Sequence, residues 1–265
     1  MTTIGAVDVL FQPAGGTCTS PETALLEMDE AGIAVAFIAP CTQLTCERQW
    51  ACADSRLEDV ARFLSASIRF AGLCGYNPFD AAESFREMES ARALGFRGVF
   101  VQLNSFGLPL SDSRYYPLFA KASELQFPAM VQCSASEPAE ARALRRIGRD
   151  FPELSLAIVP EEPTREVLEA VADFDRLNFV LNTSALVSLL HHGADLFNDG
   201  VMAGRCMWGS DGAPLLATLQ DARSVTLPSF ALNDILRANA LRFFDTLPPH
   251  RLPRALDGSA TVAER

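Results

Sequence analysis

The feature that most constrains this chain is an alternation repeated eight times. Short apolar runs occur at 4–11, 33–40, 68–76, 96–103, 127–133, 154–160, 177–183 and 205–211. Amphipathic segments lie between them, at 20–32, 47–66, 80–95, 115–126, 137–149, 163–173, 184–197 and 214–223, and a last one covers 232–244. The runs are apolar on both parities, as strands are when they are parallel and covered by helices. Eight strand-then-helix units in 265 residues predict a single (β/α)8 TIM barrel over 1–247, followed by a polar C-terminal tail at 248–265. The first helix carries its own boundary signals: Ser20 as N-cap, Pro21 at the first helical position and Gly32 as the stop. An open doubly wound sheet would place a G-x-G-x-x-G loop after the first strand. "PAGGTCTS" at 13–20 has a glycine pair without that spacing, so the open sheet is discounted.

In a barrel of this kind the chemistry sits where strands end. That selects Gln12; Pro40 and Cys41; Tyr76 and Asn77; Gln102 and Asn104; Gln132 and Cys133; Pro160, Glu161 and Glu162; Asn182 and Ser184; and Asp211. The candidate catalytic residue is Asp211, an acid/base if burial raises its pKa. Gln12, Gln132, Asn182, Gln102 and Asn104 are the candidate substrate-binding amides. Strand alternation turns Cys133 toward the helices if Gln132 faces the barrel centre. Glu161 and Glu162 are read first as a solvated start to the next helix, where acidic residues suit the dipole, with one of them pointing into the mouth as an acid as the alternative. Arg97, Arg114 and Arg205 are the basic residues nearest strand ends, any of which could hold a substrate carboxylate.

Composition removes several classes. A net charge of −11 repels phosphate backbones, which argues against nucleic acid as a partner. No apolar run is long enough to span a membrane and the first residues lack the features of a signal peptide, so a cytoplasmic protein is expected. Lys121 is the single lysine and falls on a predicted surface helix, which leaves no obvious Schiff-base nucleophile. The seven cysteines, Cys18, Cys41, Cys46, Cys52, Cys74, Cys133 and Cys206, are read as reduced and mostly structural.

Several segments in order resemble the amidohydrolase-related family that contains the aminocarboxymuconate semialdehyde decarboxylase group. They are "LLEMDEAGIAVAFIAP", "RFAGLCGYNPFD", "EMESARALGFRGVFVQLNSFGLPLSDSRYYPLFAKASELQFPAMVQ", "FPELSLAIVP", "MWGSDGAP" and "ILRANALRFF". The resemblance implies a TIM barrel with hydrolase or decarboxylase ancestry and, by family habit, a homodimer. It also implies a metal held by two histidines of the first strand, one after the fifth, often one after the sixth, and an Asp after the eighth. The matching residues here are Leu10, Gln12, Gln132, Pro160 and Asp211, so no resident metal or other cofactor is expected. His191, His192 and His250, the three histidines of the chain, fall outside those places.

The expectation is therefore a metal-independent hydrolase of a small lactone, ester or amide, using Asp211. The alternatives are a decarboxylase of the same family, or a non-catalytic paralogue that binds a ligand or pairs with an active subunit.

Overall fold

The computed structural model describes residues 5–12, 20–40, 53–134, 138–198, 202–227 and 229–244. Eight parallel strands run in sequence order around one sheet. They are β1 (Ala6–Phe11), β2 (Ile33–Ile38), β3 (Phe70–Cys74), β4 (Gly98–Gln102), β5 (Ala129–Cys133), β6 (Leu156–Pro160), β7 (Leu177–Leu181) and β8 (Cys206–Trp208). The helices between them are α1 (Pro21–Ala31), α2 (Ala53–Ala66), α3 (Ala81–Ala93), α4 (Tyr116–Leu125), α5 (Pro138–Asp150), α6 (Arg165–Ala172), α7 (Thr183–Asn198) and α8 (Leu215–Ser224). The boundary signals of α1 act as read: the Ser20 hydroxyl accepts the Thr23 N–H at 3.2 Å, and Gly32 closes the helix at φ 74°. The seam from β8 to β1 is joined by the Asp211 N–H, which donates to the Leu10 carbonyl at 3.0 Å. No described helix is long and apolar enough to cross a membrane.

Each strand feeds two cores. One packs the outer strand faces against the helices and includes Phe11, Ile38, Val131 and Cys133. The other fills the barrel and includes Val35, Phe37, Phe100, Met130, Val159 and Val180. Cys133 therefore faces the helices, as alternation requires. Cys74 and Cys206 are likewise buried, and burial pushes both thiols well above the usual range, which suits inert packing.

The segment expected as one closing helix is broken into α9 (Ser229–Asn233), a π turn (Asp234–Ala238) and α10 (Asn239–Phe244). The break lets Asn239 donate to the Ala203 and Cys206 carbonyls, at 2.7 and 2.6 Å, just where β8 begins. It also lets Phe244 enter the barrel from below and stack on Phe37, with ring centroids 3.9 Å apart.

Candidate active site at the barrel mouth

The last apolar rung inside the barrel sets the next rung above it. Side chains two residues further along a strand share a face. Phe100, Met130, Val159 and Val180 lie inside, so Gln102, Gln132, Glu161 and Asn182 top β4 to β7. Strand β1 reaches the same level by a different route. Asp8 pairs with Ala36 and Phe11 with Ile38, so three steps on β1 match two on β2. That extra residue is a bulge, and it flips the parity so that Leu10 and Gln12 turn inward. Bulges of this kind re-aim side chains at barrel rims.

Asp211 sits at the centre of this rung. Gln12 Nε2 donates to its Oδ1 at 3.4 Å, and Gln132 Nε2 reaches Oδ1 and Oδ2 at 3.4 and 3.3 Å. The Asn182 side chain hydrogen-bonds it as well, while Asn182 Oδ1 caps α7 by accepting the Ala185 N–H at 2.9 Å. Burial raises the Asp211 pKa from its ordinary value; the Asn182 and Gln132 bonds oppose that rise, and the charge of Glu161 adds to it. The backbone of Asp211 is left-handed, at φ 51°, followed by Gly212 at φ 78°. Asp tolerates this region better than most residues, and the turn tips the carboxyl back over the barrel.

Four of the expected residues thus converge: Asp211, Gln12, Gln132 and Asn182. Gln102 pairs in register with Gln132 and accepts from the Ser105 hydroxyl at 3.0 Å. Asn104, on a 3-10 turn at Leu103–Phe106, turns instead to Glu161, donating to its Oε1 at 2.7 Å.

Glu161 corrects the sequence reading. Pro160 pairs with Cys133 on the outer face, so the inward residue at the end of β6 is Glu161. Helix α6 begins later, at Arg165. Glu161 is a mouth residue, not a helix-start carboxylate. Of the three arginines, Arg97 and Arg205 precede β4 and β8 and lie at the far end. Arg205 is held there by the Phe174 and Leu177 carbonyls and Asp175. Arg114, in the segment after β4, is on the mouth side, where it is bound by Asp112 at 2.7 Å and lies 4.8 Å over the Phe79 ring.

Asp8 and Ser210 were missed. Asp8 is fully buried, and its Oδ1 accepts from the Leu10 and Ser210 N–H groups, both at 3.0 Å. One carboxylate therefore pins the bulge of β1 to the end of β8, one residue before Asp211. Burial pushes its pKa up to about 6, against the bonds from Ser210 and Leu10, with a further rise from Asp211. The available signal was an Asp inside the apolar run "AVDVLF", since buried charges occur only where they are bonded.

As a donor set for zinc or manganese, these residues do not fit. Leu10 has no donor atom and packs against Gly209, where an added Cβ would sit 2.9 Å from Leu10 Cβ and from Val180 Cγ1. The three amides turn N–H groups, not lone pairs, toward Asp211. Such ions take imidazole, thiolate and carboxylate in preference to amide oxygen. Among the described residues no group of three or more His, Cys, Asp or Glu converges. Cys18, Cys41, Cys46, Cys52, His250 and the tail expected at 248–265 lie outside the described residues, as do the side chains of His191 and His192. A concavity of about 200 Å³ lined by Gln126, Pro128, Ser155 and Arg176 opens below β5 to β7. It is at the end opposite Asp211 and has no part in this site.

The comparisons with known proteins agree with this architecture. The barrel resembles the crystal structure of an uncharacterised TIM-barrel protein from Bordetella bronchiseptica, with a TM-score of 0.71 at 17% identity, over 91% of this chain and 99% of that one. It resembles 2,6-dihydroxybenzoate decarboxylase from Rhizobium with a TM-score of 0.69 at 16% identity, over 91% and 98%. For 5-carboxyvanillate decarboxylase from Sphingomonas paucimobilis the values are 0.66 and 14%, over 92% and 99%. Identities this low carry the fold alone. No curated protein matches the chain. The model of the family described as Amidohydrolase matches residues 17–246, and the chain belongs to that family.

Proposed function

We propose that this protein is a carboxy-lyase-type enzyme acting on a small organic acid, with Asp211 as the proton donor and no resident transition ion. The observation that carries the reading is the placement of a half-buried Asp211 at the barrel mouth within reach of the Gln12, Gln132 and Asn182 amides, where burial raises its pKa. A carboxyl whose pKa is raised by burial holds its proton more readily than an exposed one and is suited to delivering it to a carbanion. In the proposed step the bond from carbon to the substrate carboxylate breaks and CO2 leaves. The electron pair stays on carbon and takes the Asp211 proton, and the Asp211 carboxylate is then reprotonated from solvent. Gln12, Gln132 and Asn182 orient the substrate and, once Asp211 is ionised, hold it through their N–H groups. The decarboxylases among the structural neighbours support this choice over hydrolysis.

Incubation of the full chain with small hydroxylated aromatic and aliphatic acids, read as CO2 release, tests the reading. The Asp211→Asn variant keeps its fold and loses roughly 10²- to 10⁴-fold in turnover. Activity falls as pH rises through the Asp211 pKa, because the acid form is lost. Turnover unaffected by Asp211→Asn contradicts the proposal. Hydrolysis of a neutral lactone, ester or amide, with Asp211 as base, is the second reading. It is favoured by the surplus of carboxylates and acceptors at the described mouth, where Arg114 is already engaged by Asp112. Release of an alcohol or amine without CO2 would select it.

A further inference from the structure

We propose that Glu161, braced by Asn104, is a specificity-determining residue that accepts a hydrogen bond from a hydroxyl or amino group of the substrate and turns away ligands with a second carboxylate. The inference rests on the mouth being the substrate site.

Three observations carry it. First, Glu161 is fixed in place. It stands on the inward register of β6 above Ala157 and Val159. Its N–H donates to the Cys133 carbonyl at 3.2 Å, extending the β5–β6 ladder by one bond. Asn104 Nδ2 holds Oε1 at 2.7 Å. The carboxylate is thus presented to solvent over the barrel, and its charge is felt at Asp211 on the other side of β7.

Second, the rung has an acceptor to spare. Gln132 is only 8% exposed. Its Nε2 is committed to Asp211, and its buried Oε1 has no hydrogen-bond partner among the described residues. A buried acceptor without a donor costs free energy until a ligand supplies one. Glu161 and Gln132 Oε1 together ask for donors on the ligand.

Third, charge points the same way. Asp211 and Glu161 share the mouth, and the chain carries a net charge of −11. A ligand with two carboxylates would have to bring one near Glu161, and like charges so placed are strongly disfavoured. A monoacid bearing a hydroxyl or amine brings one negative charge fewer and offers Glu161 a donor in its place.

The test is calorimetric binding of three probes to the full chain: 2-hydroxybenzoate, 2-aminobenzoate and benzene-1,2-dicarboxylate. Wild type prefers the first two over the dicarboxylate by about tenfold or more. Glu161→Gln, at an exposed position that tolerates the change, closes that gap chiefly by tightening the dicarboxylate. Asn104→Ala frees the carboxylate and narrows the gap by a smaller factor. Asp211→Asn, run in parallel, separates the two claims. If Asp211→Asn alters probe binding but Glu161→Gln leaves the ratio as in wild type, the specificity role is overturned and the site stands. If neither variant alters binding, or no probe binds, both are overturned.

Discussion

The two ends of the same eight strands are built on opposite rules. Below, the barrel is apolar: Phe244 stacks on Phe37 and the interior is aliphatic and aromatic. Above, one residue pair further along each strand, the rung is two carboxylates and four amides. Its contacts to Asp211 are 3.3 to 3.4 Å, long for bonds to a charged oxygen. The contrast teaches where stability and function are held apart. Packing at the bottom supplies stability. The loosely bonded mouth leaves Asp211 free to exchange its partners for a substrate.

The first way to break this contrast is at the bottom. Phe244→Ala is expected to cost about 3–5 kcal/mol in urea unfolding, from the cavity left under Phe37. It should leave ligand binding at Asp211 nearly intact in the protein that remains folded. A loss of binding with little loss of stability would reverse the assignment.

Asp8 lies between the two regimes and sharpens the contrast through pH. Its folded pKa, about 6, is above the 3.8 of an ordinary aspartate. Between those values the native state binds more protons than the unfolded state. Its contribution to stability is therefore greatest below about pH 4, declines as pH rises toward 6, and is constant above. The full decline is about 3 kcal/mol. Denaturation curves of wild type and Asp8→Asn should diverge across that window, with the Asn variant lacking the decline. Parallel curves would mean that Asp8 is not buried as a titrating group.

Gly209 tests the join of the two ends. Gly209→Ala forces a Cβ within 2.9 Å of Leu10 and Val180. The expected cost is about 1–3 kcal/mol, with weaker ligand binding because Leu10 and Gln12 share the displaced bulge. The smallest effect is expected from Gln12→Ala. Its bond of 3.4 Å is marginal, so stability should change by about 0.5 kcal/mol or less, and ligand affinity should fall a few-fold by titration.

Much of this was legible in the sequence because parallel strands in a covered barrel must be apolar on both faces. All eight strands and their helices follow from that pattern. The convergence of Gln132 and Asn182 on Asp211 follows from strand ends alone. What was hidden depends on single-residue register. The bulge in β1 leaves no mark in "VDVLFQP", and it decides which way Leu10 and Gln12 point. Matching Pro160 to the family's ligand position left Glu161 as a helix-start residue, whereas pairing with Cys133 places Pro160 outside and Glu161 inside. Strand β8 was expected to reach residue 211 but ends at Trp208, because the Ser210 N–H goes to the Asp8 side chain instead of a strand neighbour. The closing helix was expected whole; Asn239 binds two carbonyls at the start of β8 and the helix gives way to a π turn beside it.

The central claim is that an amide ring, not a resident transition ion, surrounds Asp211. Elemental analysis of the full chain purified without added metal tests it most directly. The account predicts zinc and manganese far below one equivalent per chain, in protein that still binds its ligand in an Asp211-dependent way. One equivalent of either ion, retained through gel filtration and lost in Asp211→Asn, would contradict it.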